Sequence, residues 1–212
     1  MSELAVPSKS GLLAQARVAQ LLTVAWMLIE GAVAVTAGIG ARSVALTAFG
    51  ADSAIELFTA LIVLRSLRAP AGADDGRLGQ GERQASRVVG WALYLLALYI
   101  VVSSAWTLVG GVRPEPSAIG LFLALASLVI MPVLWRWRLG LADRIPSAAL
   151  KADAACSAVC VYLAAALLAG LALNRLAGWW WVDPVAAIAM IWWIRGEARE
   201  ALESAATGER CC

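Results

Sequence analysis

Asp52 and Glu56 stand four residues apart inside a long apolar run. On a helix that spacing puts both carboxylates on one face, one turn apart. Two acids held together in hydrocarbon repel each other and lose hydration, so a proton or a metal ion must compensate them. Cys156 and Cys160 repeat the spacing in a later apolar run, and Asp153 extends their face by one turn. Two carboxylates and two thiolates form a tetrahedral ligand set suited to zinc. Thiolates also favour softer ions such as cadmium, lead or mercury, and disfavour magnesium, calcium and manganese. Each group has a plainer alternative. Buried cysteines pack as small hydrophobes. An acid pair can be bonded to neighbouring helices. Asp153, near the start of its run, suits a helix cap. Glu30, alone in the first apolar run, is a candidate for a structural acid or for a proton pathway. Cys211 and Cys212 end the chain, either as a dispensable tail or as a soft-metal capture pair.

Depth allows the acids and thiols to meet. Glu56 lies nine residues before Arg65, and Cys160 nine residues after Lys151 on a run of opposite direction. At about 1.5 Å per residue, both sit roughly 14 Å from the same face.

The positioning elements follow from composition. Of 212 residues, 61% are hydrophobic and 15% charged, against about 25% charged for a soluble domain. A soluble globular enzyme is excluded on those figures. A net charge of +2 gives no nucleic-acid footprint. Histidine is absent, which removes Ser–His–Asp and Cys–His nucleophiles, histidine metal sites and the usual proton carrier. Six apolar runs, 18–39, 44–64, 88–112, 117–135, 152–173 and 179–194, have membrane-spanning length. The expected fold is therefore an all-α membrane protein of six transmembrane helices. Fourteen of the 17 Lys and Arg fall on one side when the N-terminus is placed inside, so both termini are expected in the cytoplasm. The domains read as an N-terminal segment 1–16, a transmembrane domain 17–195 with a cytoplasmic loop at 65–87, and a short tail 196–212. Most of the ten tryptophans, including Trp135, Trp137, Trp179 and Trp192, lie near run ends and read as interfacial anchors. Asp183-Pro184 reads as an N-cap followed by proline at the first helical position.

Three segments carry a resemblance. Ser43-Val44-Ala45-Leu46 followed by Gly50-Ala51-Asp52-Ser53-Ala54-Ile55-Glu56 is similar to an S-x-A-L … D-S-x-x-D/E helix. Ala152-Asp153-Ala154-Ala155-Cys156-Ser157-Ala158-Val159-Cys160 is similar to an A-D-x-x-H-x-x-x-D helix, and Trp181-Val182-Asp183-Pro184 to a D-P helix start. These are the second, fifth and sixth helices of the cation diffusion facilitator family, zinc-type cation efflux transporters, which the whole membrane part resembles. The resemblance implies that Asp52 and Glu56 are metal ligands, with Cys156 in place of histidine and Cys160 in place of aspartate. It further implies alternating access of a divalent cation driven by proton entry. Most members carry a cytoplasmic C-terminal metal-binding domain, and the chain reads as a compact member without one.

The expected activity is efflux of zinc or a softer ion such as cadmium, by metal/proton antiport. The metal is cargo rather than cofactor. The resemblance implies a homodimer, and the wholly apolar third run suits burial against protein or lipid. The expected location is the inner (plasma) membrane. Other classes remain open: a proton-coupled exporter of small organic cations, a non-transporting membrane metal sensor or scaffold, and an intramembrane aspartate enzyme pairing Asp52 with Asp153.

Overall fold

The computed structural model describes residues 9–66, 80–145 and 148–208. They form six helices: α1 Lys9–Ala41, α2 Val44–Ser66, α3 Gln80–Gly110, α4 Ala118–Ala142, α5 Ala148–Ala177 and α6 Val182–Thr207. Five of them, α1 to α5, are long and apolar enough to cross a membrane. The sixth expected span is different. Helix α6 is apolar only as far as Ile194, and then continues through Arg195, Glu197, Arg199, Glu200 and Glu203. Large apolar side chains point outward on the bundle, among them Val109, Leu176, Trp106 and Phe122. In water that surface would be costly; in a bilayer it is the solvated face. The protein is an all-α, multi-pass integral membrane protein.

Several boundaries differ from the sequence reading. The expected loop 65–87 is helical from Gln80 onward. The polar segment Gln80-Gly81-Glu82-Arg83-Gln84 is rich in helix formers, and Arg83 has a structural reason to sit on a helix. Its guanidinium donates to the carbonyls of Ala205 (3.1 Å) and Ala206 (2.7 Å). It thus satisfies carbonyls that the end of α6 leaves without intrahelical partners. The expected tail 196–212 likewise begins inside α6, which ends at Thr207 before Gly208 in the left-handed conformation (φ 77°). Helix α4 also outruns its apolar core. Arg138, expected in a cytoplasmic loop, is fully buried and donates to Ser157 Oγ on α5.

The most extensive packing joins α3 with α6, α1 with α2, and α4 with α5. The α1–α2 turn closes with both bonds of a Schellman motif. Arg42 sits at φ 53°, its N–H reaches Ile39 O (3.2 Å), and the Ser43 N–H reaches Gly38 O (2.9 Å). Glycines then let the two helices touch along their length. A Cβ on Gly50 would lie 2.7 Å from Val35 N, and one on Gly38 would lie 2.5 Å from Thr47 Oγ1. Small residues at such crossings are how membrane helices gain close packing, since lipid offers no hydrophobic drive between them. Gly50 stands two residues before Asp52, so this contact fixes the helix that carries the acid pair.

Asp183 corrects a second expectation. It does not cap its own helix: α6 begins at Val182, and Trp181 precedes it with no side-chain cap. Instead the buried Asp183 carboxylate caps α2. It accepts from Ser43 Oγ and from the backbone N–H groups of Val44 (2.9 Å) and Ala45 (3.4 Å). Ser43 Oγ in turn accepts from Leu46 N–H (3.0 Å). The first-turn donors of α2, buried from water, are satisfied partly by α6, and the negative charge suits the positive end of the helix dipole. Asp183→Ala is expected to lower stability by about 2 kcal/mol, between the loss of a cap and the stranding of buried donors. Asp183→Asn, which keeps an acceptor, should lose less. Reversible unfolding in mixed detergent micelles reads the difference, and equal stability of all three proteins would refute the interhelical cap.

Candidate metal centre

Asp52 is carried by α2, just past the close α1–α2 crossing, and is 2% exposed. Glu56 follows one turn later, half-buried on the same helix. Ligand oxygens of Asp52, Glu56 and Glu197 all lie within 4.8 Å of one another. Glu197 comes from α6, beyond its apolar part. Two oxygens of this group, Asp52 Oδ1 and Glu56 Oε1, are buried and have no hydrogen-bond partner. Among the described residues no lysine or arginine forms an ion pair with any of the three acids. Unpaired buried carboxylate oxygens are costly, and a cation placed between them would relieve that cost.

The fifth helix supplies a thiol to the same place. Cys160 is buried and free, and its Sγ–H donates to Glu56 Oε2. The depth estimate from sequence thus leads to a direct contact between α2 and α5. Cys160 also packs in a small apolar cluster with Met27 and Met131, so its packing and its polar contact coexist. The side chains of Cys156 and Asp153, and the Cys211–Cys212 pair, lie outside the described residues.

Glu30 is not in the acidic group. It is fully buried on α1, and its oxygens accept from Trp26 Nε1 (2.6 Å), Ser53 Oγ on α2 (2.8 Å) and Ser127 Oγ on α4. Its carboxylate therefore ties three helices together beside the acid pair.

Glu197 is the residue that sequence reasoning missed. In Arg195-Gly196-Glu197-Ala198-Arg199-Glu200 it reads as one charge of a solvated face. The available signal was register. Ile194 and Ala198 are buried and Glu197 is half-buried between them.

The chemistry of this arrangement is that of a cation site: converging acids, orphaned oxygens and a thiol, at the junction of three helices. A family model described as the cation efflux transmembrane domain matches residues 17–206, which takes in α2 to α5 whole and most of α1 and α6. The chain belongs to the cation diffusion facilitator family. That family is one of cation efflux transporters, not of enzymes, so an intramembrane aspartate enzyme is set aside. The chain is also 29% identical over 164 residues to the uncharacterized transporter sll1263 of Synechocystis sp. (strain ATCC 27184 / PCC 6803 / Kazusa), a match covering 74% of this chain and 51% of the relative. The chain thus spans about half the length of that relative.

Proposed function

We propose that the protein exports a divalent heavy-metal cation, zinc or a softer ion such as cadmium, across the inner membrane in exchange for protons. Asp52 and Glu56 on α2 and Cys156 and Cys160 on α5 hold the ion in this reading. The observation that carries it is the pair of buried, unpartnered carboxylate oxygens of Asp52 and Glu56 with the Cys160 thiol on Glu56.

Proton coupling follows from ligand chemistry. A thiol of ordinary pKa, about 8.5, is protonated at neutral pH. Metal ligation requires the thiolate, so binding releases protons. Protons returning from the outer side displace the metal and reset the site. Glu30, already taken by three donors, suits a structural post beside the pathway rather than ligation. The family resemblance implies a homodimer, and the exposed apolar face of α3, with Trp91, Leu95, Val102 and Trp106, suits burial against a second copy as well as against lipid.

The experiment is flux into proteoliposomes with a panel of divalent ions and an imposed pH gradient. Zinc and cadmium should move, accelerated by the gradient, while magnesium and calcium stay outside. Metal-independent flux of an organic cation would overturn the metal reading. Saturable metal binding without any flux would make the protein a sensor.

A further inference from the structure

We infer that Glu197 of α6 is a direct ligand of the transported ion, so that the ion joins α2, α5 and α6 and meets three carboxylates rather than two. This inference rests on the proposed metal site of Asp52 and Glu56.

The geometry carries it. A Glu197 oxygen lies within 4.8 Å of ligand oxygens on both Asp52 and Glu56. Oxygens that share one tetrahedral zinc ion at about 2.0–2.2 Å lie about 3.3–3.6 Å apart. Side-chain rotations that draw the three oxygens in by about 1 Å would let the acids share one ion. The second, independent observation is the orphaned Oδ1 of Asp52, a residue 2% exposed. No donor from the described residues fills that place, and none of the three acids is paired with a basic side chain there. Cys160 lies at the edge of the group, on Glu56.

A consequence for selectivity follows. With Glu197 in the place of one thiolate, the four-ligand shell is harder, favouring zinc over cadmium and mercury relative to a site of two acids and two thiolates. Helix α6 also becomes a working part of the transporter. One end holds α2 through Asp183, and the other half reaches the acid pair through Glu197.

The test uses purified full-length protein in nanodiscs under a thiol-free reductant, with zinc and cadmium as probes. Glu197→Gln keeps the size of the side chain and removes its charge. It should weaken zinc binding by at least about tenfold, the lower bound for losing even an outer partner of a metal ligand, and weaken cadmium binding less. Glu197→Cys replaces oxygen with sulfur. Cadmium-edge X-ray absorption should then show one more sulfur in the first shell than in the wild type. An unchanged sulfur count in Glu197→Cys, or equal zinc affinity in Glu197→Gln and wild type, would overturn the inference while leaving the Asp52–Glu56 site intact. Failure of the underlying site reads differently: the wild type would bind neither metal, or Asp52→Asn would bind as the wild type does.

Discussion

Asp52→Asn should cut metal flux by about 100-fold while the protein folds and purifies as the wild type does. Loss of an outer-shell partner alone typically costs 10–100-fold in metal affinity, and a direct ligand belongs at the upper end of that range. The fold should survive because no hydrogen bond ends on Asp52 Oδ1. The amide keeps the volume of the acid and removes the charge that attracts the cation. Glu56→Gln should behave the same way, since its amide oxygen can still accept from the Cys160 thiol that now reaches Oε2. Both variants are checked by gel filtration and then assayed for zinc flux in proteoliposomes. Normal flux from both would remove α2 from the site.

The second large effect concerns selectivity. Replacing Cys156 with histidine and Cys160 with aspartate restores the common pattern of the family on α5. Zinc transport should persist in part, because zinc accepts Cys, His and carboxylate alike. Cadmium should lose ground to zinc, since soft ions gain most from thiolate. Fewer protons should be released on binding, because imidazole and carboxylate are mostly deprotonated at neutral pH and thiols are not. Some stability should be lost as well, since an aspartate at position 160 would sit against Met27 and Met131. Competitive flux of zinc and cadmium, with calorimetry in two buffers of different ionisation enthalpy, separates these effects. Unchanged selectivity with an unchanged proton count would mean that the cysteines only pack.

Much of the molecule was legible in the sequence. Apolar run length gave all six helices, because a helix in hydrocarbon must satisfy its own backbone and so must be long and apolar. The i,i+4 spacing gave the shared face of Asp52 and Glu56, and counting inward from Arg65 and Lys151 brought Glu56 to the level of Cys160. What stayed hidden lies at helix ends and in pairings between distant helices. Glu197 and Arg138 sit among charges that hydropathy assigns to water, yet helix register turns both inward. Asp183 has the local pattern of a cap, and no local pattern reveals that its partner is the start of α2, 139 residues away. Gln80 to Arg87 are polar, which conceals a helix that Arg83 fixes through the end of α6.

The most direct measurement of the central claim is equilibrium zinc binding to the purified wild type and to the double variant Asp52→Asn/Glu56→Gln, both in lipid nanodiscs. If the buried acids are the cation site, the wild type binds zinc saturably and releases protons as it does so, and the folded double variant loses that binding. Equal zinc affinity and equal proton release in the two proteins would contradict it.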